Sequence, residues 1–375
     1  MVSVISILIL KVLCVVTSLS PSDGNPESEV KYPGSDADFK QFLNTVFGQI
    51  QVNVNEKVQV KKNVYAKISN ILNKVAKLDP CYNFRVEFKG STYEGLKIGN
   101  PDEFDFGLVN DNWASKIALQ VDGNTPAGFA YAVQIVQTCL DKFKIAGTKR
   151  LSATKVRDHL RDLVEKAMLD LGMKGEVVKR PWVGGPAVTF EMRWPRFPYI
   201  SIDLAIGLNL PNWPPKPIID PRPIGTNAKL QLVPKVKDES MHAATWQIST
   251  AQVEAQVINA MDGDGGCRKK VLQLAKFFKG MSKGRWHPLA TYHLKTILLH
   301  MNRDRKRSGD WAQDMLVPRF RELIDRLLKH LRNRSLPSFF NPNNNLFEGK
   351  SDLSSALAGV SDFLKMLKAN PRAFL

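Results

Sequence analysis

Glu103-Phe104-Asp105-Phe106 alternates carboxylate with phenyl ring, and this alternation dictates what the backbone does here. Successive strand residues point to opposite faces, so a strand gathers both carboxylates on one side and both rings on the other. A helix would scatter all four. The segment is therefore expected to be one strand of a sheet with an aromatic face to bury. Its surroundings supply neighbours: Arg85-Val86-Glu87-Phe88 reads as a strand entering the tight turn Lys89-Gly90-Ser91, and residues 188–192 and 199–208 read as further strands. Ahead of the sheet, Val64, Ile68, Ile71, Leu72 and Val75 recur at helical spacing, with Lys67, Asn70, Lys74 and Lys77 on the opposite face, until Asp79-Pro80 ends the helix. Residues 127–172 also read as helical, with Lys149, Arg150, Lys155, Arg157 and Arg161 exposed. The last third is helical, with Phe320, Leu323, Ile324, Leu327, Leu328 and Leu331 at helical spacing, while Asn341-Pro342-Asn343-Asn344-Asn345 is a loop. No internal repeat is present.

Charge narrows the function classes. The 375 residues carry 53 Lys+Arg against 36 Asp+Glu, a net charge of +17. Such an excess draws polyanions: nucleotides, nucleic acid or an anionic membrane. Part of it is clustered, in Lys57, Lys61, Lys62, Lys67, Lys74 and Lys77 along the long helix, in residues 142–161, and in Arg303, Arg305, Lys306 and Arg307. Cys14, Cys81, Cys139 and Cys267 are far apart and show neither zinc spacing nor a dense disulfide pattern, so reduced thiols are expected. His293 and His300, on one helix without acidic or cysteine partners at ligand spacing, read as structural.

The carboxylates point to phosphoryl chemistry. Two of them two residues apart on a strand, just after a Gly-Ser turn, suit Mg²⁺ (or Mn²⁺), a hard ion that takes oxygen ligands and nucleotide phosphates. Two such ions clamp the attacking and leaving oxygens of an in-line displacement. A third carboxylate is needed, and Asp203 fits, because an ionised group inside the apolar strand Ile200-Ser201-Ile202-Asp203-Leu204 is costly unless paired or metal-bound. Its face-mates Ser201, Ala205 and Gly207 are small, which leaves room for a ligand. Taken singly, the first pair also suits a solvated edge strand and Asp203 an arginine partner.

Taken together, three blocks closely resemble the cyclic GMP-AMP synthase family: Gly90-Ser91-Thr92-Tyr93-Glu94-Gly95-Leu96-Lys97-Ile98, Pro101-Asp102-Glu103-Phe104-Asp105, and Tyr199-Ile200-Ser201-Ile202-Asp203. Thr291-Tyr292-His293-Leu294-Lys295-Thr296 matches that family's helical-lobe motif, and Trp246 begins a segment like its Trp-Arg-x-Ser stretch. The resemblance covers roughly residues 40–350. It implies an α+β, bilobal nucleotidyltransferase fold: a mixed β-sheet with a long spine helix, then a helical C-terminal lobe. The corresponding domains are an N-terminal segment and linker over 1–37, a core lobe over 38–215, and a helical lobe over 216–375. By the same resemblance Glu103, Asp105 and Asp203 are the metal triad and Gly90 and Ser91 the phosphate-gripping turn. Lys276 and Thr291 stand at phosphate contacts, Tyr292 at a base-stacking ring and Glu254 at a base contact.

The expected activity is joining ATP and GTP into a cyclic dinucleotide for innate immune signalling, with double-stranded RNA as activator on the six long-helix lysines and a possible dimer on the nucleic acid. Gln247 and Ala205 depart from the family's arginine and threonine, which opens the questions of base choice and linkage. The DNA sensor's zinc ribbon has no counterpart, since Cys267 is the only cysteine of the second lobe, so no zinc is expected and the chain looks like the invertebrate-type receptors. A catalytically silent nucleic-acid- or protein-binding relative and a polymerase-like nucleotidyltransferase are the alternatives. The cytoplasm is the expected location, although residues 2–16 are nearly all apolar and resemble a signal or anchor. Residues 21–37 read as a linker, and the prolines of 211–223 as a crossing between lobes.

Overall fold

In a computed structural model, which describes residues 35–51, 53–210, 229–236 and 244–369, Phe104 and Phe106 are sealed in the interior. The apolar run at 2–16, most of the linker and the proline-rich crossing lie outside the described residues. The helices, in chain order, are α1 (Asp36–Ile50), α2 (Val54–Leu78), α3 (Asp111–Ala114), α4 (Ala153–Asp170), α5 (Ala251–Ala260), α6 (Arg268–Met281), α7 (Thr291–Asp304), α8 (Leu316–Arg332) and α9 (Leu353–Ala369). The strands are β1 (Arg85–Lys89), β2 (Glu103–Val109), β3 (Ile117–Gln120), β4 (Phe129–Gln134), β5 (Val177–Gly184), β6 (Ala187–Trp194), β7 (Phe197–Ile206), β8 (Leu208–Asn209), β9 (Gln231–Val233) and β10 (Thr245–Ser249).

By its internal contacts the chain divides into two compact units, one of residues 52–260 with 340–344, the other of residues up to 51, 261–339 and 345–375. The first unit holds both sheets. One runs β1-β2-β7-β6-β5, the other β3-β4-β10-β9-β8. The β2–β7 pair is parallel, and the remaining pairs are antiparallel. The spine helix α2 starts where the Asn53 side chain accepts the Glu56 N–H at 3.1 Å. It buries Val60, Val64, Ile68, Ile71, Leu72 and Val75, the stripe its spacing announces, and packs along α4. It stops because Asp79 turns outward and accepts the Cys81 N–H at 3.0 Å, opening a short 3₁₀ turn at Pro80–Tyr82.

The second unit is helical. Its core is aromatic: the Phe278 ring lies 5.7 Å from Phe320 and 4.9 Å from Phe363, with Phe39 and Phe42 of α1 against them. On α8 the residues Phe320, Leu323, Ile324, Leu327, Leu328 and Leu331 form the buried face. Together the two units make up the expected α+β architecture. Among the described residues, no helix is long and apolar enough to cross a membrane.

Three expectations change. Residues 127–172 are not one helical region: only Ala153–Asp170 is α-helix, and Phe129–Gln134 is strand β4 between β3 and β10. Its run Ala130-Tyr131-Ala132 is buried, and a short buried strand carries no periodicity to distinguish it from a buried helix turn. The expected boundary at 215 falls inside the first unit, and α1 belongs with the C-terminal helices, because its Phe39 and Phe42 need the aromatic core there. Finally, Cys81 and Cys139 are disulfide-bonded with Cα atoms 5.8 Å apart. The end of α2 and the segment after β4 meet in space, and their separation of 58 residues hides that from the sequence. Cys267 is a buried free thiol.

Candidate active site

The pairing of β2 with β7 assembles the three carboxylates. Its register sets Asp105 directly opposite Asp203, and Glu103 opposite Ser201. Strand alternation then places Glu103, Asp105 and Asp203 on one face of the sheet. Burial disfavours ionisation of Asp105, and the charges of Glu103, Asp203 and Glu94 add to it, so its pKa rises to about 7 against the pull of Lys97. Burial also raises Asp203, opposed by the Thr189 hydroxyl, which donates to Asp203 Oδ1 at 2.7 Å, and reinforced by the charge of Glu103. The group is thus a cluster of like charges in a partly desolvated site. Its main internal counter-charge is Lys97, whose ammonium lies 2.8 Å from Asp102 and 3.3 Å from Glu103.

Gly90 is built into this cluster. Its φ of +76° suits glycine, and a Cβ added there would collide with the Asp105 carboxylate. The turn closes through Tyr93 and Glu94 N–H groups donating to the Gly90 carbonyl, each at 3.1 Å, and Leu96 N–H to Ser91 at 2.9 Å. Its leading N–H groups take no part in those bonds, as at the start of a helix. Thr92 fixes the turn to β2 by donating to the Glu103 carbonyl at 2.9 Å.

The donor set fits divalent cations: three hard carboxylate oxygens, mutually repelling and short of counter-charge. Among the described residues, no three acidic, histidine or cysteine side chains are already drawn together at ion-holding distances.

The remaining sequence-derived residues are distributed over both units. Glu254, on α5, is buried and accepts the Thr250 hydroxyl at 2.6 Å. Lys276 lies on α6 and is half-buried. Thr291 and Tyr292 open α7, both exposed, and Thr296 donates to the Tyr292 carbonyl at 2.9 Å. Trp246 is fully buried and donates to the Leu151 carbonyl at 3.0 Å, while Gln247 pairs with Val233 and Phe129. Along α2, Lys67 pairs with Glu176, and Lys74 lies 2.9 Å from Asp170, so two of the six proposed nucleic-acid lysines are engaged by carboxylates. Lys62 and Lys77 are exposed, and Lys57 and Lys61 are half-buried. His293 and His300 are structural: His293 Nδ1 accepts the Ala290 N–H at 2.9 Å, and His300 Nε2 lies 3.0 Å from the Pro337 carbonyl.

Sequence reading missed Lys97, Thr189 and Glu94 as members of the site. Lys97 stands six residues before Glu103, a spacing with meaning only once the turn is folded. Thr189 is identified by the β6–β7 register, which sets it opposite Asp203.

Residues 92–260 match the Mab-21 protein nucleotidyltransferase domain, and residues 267–358 match the Mab-21 protein HhH/H2TH-like domain. The first match contains Glu103, Asp105 and Asp203, the second Lys276, Thr291 and Tyr292. The chain is 27% identical over 328 residues to cyclic GMP-AMP synthase of Mus musculus, in a match that takes in 78% of this chain. It spans 64% of the length of that relative.

Proposed function

Because the chain belongs to the nucleotidyltransferases of the Mab-21 and cyclic GMP-AMP synthase kind, we propose that it joins ATP and GTP into a cyclic dinucleotide when activated by double-stranded RNA, as part of innate immune signalling. The observation that carries the catalytic part is the β2–β7 register, which puts Asp105 opposite Asp203 with Glu103 on the same face, beside a glycine turn that leaves no room for a side chain.

In this reading Glu103, Asp105 and Asp203 hold Mg²⁺, and the ions supply charge stabilisation at the attacking and leaving oxygens. The leading N–H groups of the Gly90-Ser91 turn and the Ser91 hydroxyl hold the triphosphate. Thr189 keeps Asp203 oriented by donating to its Oδ1, which leaves the second carboxylate oxygen for the acceptor hydroxyl. Lys97, 3.3 Å from Glu103, neutralises part of the cluster's charge. Glu254, Lys276, Thr291 and Tyr292 contact the nucleotides, with Tyr292 stacking on a base.

The net charge of +17 supports a polyanionic activator. A-form RNA is read by shape and 2′-hydroxyls across a wide minor groove, which suits lysines on a long helix. The absence of clustered cysteines around Cys267 removes the module with which the DNA sensor grips its duplex.

The test is incubation of purified protein with labelled ATP and GTP, Mg²⁺ and a panel of double-stranded RNA, double-stranded DNA and single strands of matched length. Products are identified by mass spectrometry and nuclease digestion. A cyclic dinucleotide formed with double-stranded RNA, and lost in Glu103→Ala/Asp105→Ala protein that still folds and binds RNA, is the expected result. Linear polymer as the product, synthesis by the double variant, or a clear preference for DNA would each overturn the corresponding part.

A further inference from the structure

The N-terminal half of α2 carries a stripe that is exposed among the described residues. Val54, Val58, Lys61 and Tyr65 follow at intervals of four, three and four residues and therefore share one face. Val58 is 62% and Tyr65 42% exposed. The stripe continues onto β1, where Phe88, 48% exposed, sits with its ring centroid 5.2 Å from Tyr65. Phe88 is an outward-facing aromatic on an edge strand, stacked at 4.7 Å on Tyr93 of the Gly-Ser turn, with the Lys61 ammonium 4.4 Å from the Tyr93 ring centroid. Lys57 and Lys62 flank the stripe.

Ion pairing makes this end of the helix distinctive. Further along α2, Lys67 and Lys74 are satisfied by Glu176 and Asp170. Lys57, Lys61 and Lys62 have no ion pair among the described residues. Three of the four lysines of α2 without an ion pair among the described residues thus lie where the aromatic rings are exposed, and the fourth, Lys77, lies at the far end of the helix. A partner complementary to this surface carries regular negative charge together with flat apolar faces.

We infer that the Val58–Lys61–Tyr65–Phe88 surface stacks unpaired bases at a single-stranded end or overhang of RNA, with Lys57, Lys61 and Lys62 on the adjoining phosphates. Aromatic rings beside a cationic track are how proteins hold single-stranded nucleic acid, because every base offers a π-face. The paired body of a duplex hides those faces, so phosphate contacts alone would leave Tyr65 and Phe88 idle. The inference deepens the proposed activation by RNA and rests on that reading. It specifies which end of the spine helix the activator touches and what feature of the RNA is read there.

Anisotropy titrations test it with full-length protein and two labelled RNAs: a long blunt-ended duplex, and the same duplex with a short single-stranded overhang. The overhang should tighten binding about tenfold, and Tyr65→Ala or Phe88→Leu should abolish that gain while leaving blunt-duplex binding within about twofold. Phe88→Leu keeps an apolar side chain against Tyr93, and melting curves for both variants check that the fold is intact. Lys57→Ala/Lys62→Ala should weaken both RNAs and lower the salt dependence of each. Equal affinity of the wild type for both RNAs, or an overhang preference that survives both aromatic substitutions, overturns the stacking inference while leaving activation by duplex intact. Absence of binding to either RNA overturns the activator reading itself. Concentration-dependent self-association that Tyr65→Ala abolishes would assign the surface to a second copy of the chain and refute the inference.

Discussion

The Cys81–Cys139 bond encloses strand β2, which carries Glu103 and Asp105, so its removal is the perturbation with the most calculable consequence. The two cysteines close a loop of 58 residues, and cross-linking a loop of that length lowers the unfolded chain's entropy enough to stabilise the fold by about 4 kcal/mol in the chain-entropy treatment. Within that loop lie β1, the Gly90-Ser91 turn and β2 with Glu103 and Asp105. Cys139→Ser should therefore destabilise the protein by up to about 4 kcal/mol, less whatever residual structure the unfolded chain keeps. Urea denaturation measures it. The wild type without reductant should unfold at a higher midpoint than the wild type in dithiothreitol, and Cys139→Ser should match the reduced protein and ignore the reductant. The urea dependence should steepen when the bond is open, because the unfolded chain then exposes more surface. Alkylation of the native, unreduced protein should leave Cys81 and Cys139 unmodified. Full labelling of both under those conditions, or a wild-type midpoint indifferent to reductant, would refute the reasoning.

Acid should act through His293. Burial holds its pKa down at about 4 in the folded protein, so the unfolded chain binds the proton first, and stability is lost as pH falls from about 6.5 to 4, by about 3 kcal/mol in total. His293→Asn, which keeps an acceptor for the Ala290 N–H, should flatten that part of the stability–pH curve measured by thermal melting. Gly90→Ala forces a side chain into a positive-φ position and against Asp105, so nucleotide transfer should fall at least a hundredfold with about 1–2 kcal/mol of lost stability. Lys89→Met should cost about 1 kcal/mol in urea titrations, because it removes one of the two cations that face the largely buried Glu87 carboxylate and leaves Arg85 at 3.2 Å as the other.

The shared face of the candidate carboxylates was legible because alternation is a local rule. Glu103 and Asp105 needed only two-residue spacing, and Asp203 only an apolar strand with one charge in it. The buried stripe of α2 followed from helical spacing in the same way. What stayed hidden was non-local. The register that sets Thr189 opposite Asp203, the meeting of Cys81 with Cys139, and the pairing of Lys67 and Lys74 with Glu176 and Asp170 each join segments tens of residues apart. Strand β4 was read as helix because buried strands lack the alternation that made β2 plain. The long helix's six lysines were read together as a nucleic-acid surface, and the structure engages Lys67 and Lys74 with carboxylates while Lys57, Lys61, Lys62 and Lys77 have no ion pair among the described residues.

The small residues on the catalytic face show how much a local reading can assume. Ser201, Ala205 and Gly207 read as room left for a ligand, yet at Gly207 that room is filled: an added Cβ would lie 2.8 Å from the Gln231 amide. Gly107, two residues beyond Asp105 on the same face, likewise makes way for the Lys89 side chain, which binds Gln231 and lies 3.7 Å from Glu87. Gln231 in turn donates to Glu87 at 3.0 Å and to Asn209 at 2.8 Å, closing a polar network between the two sheets. One face of β1, β2 and β7 therefore has two regions of opposite design. Below Asp105 the chain supplies its own cations, Lys89 and Arg85, to answer Glu87, and glycines at 107 and 207 let that network seal the space. At Glu103, Asp105 and Asp203 three carboxylates face mainly Lys97, which is shared with Asp102, and Asp105 is driven up to about 7. The same strands could have carried a second lysine to satisfy the upper region as they satisfy the lower. That they do not supports the proposed reading, in which divalent cations bound to nucleotide phosphates bring the positive charge.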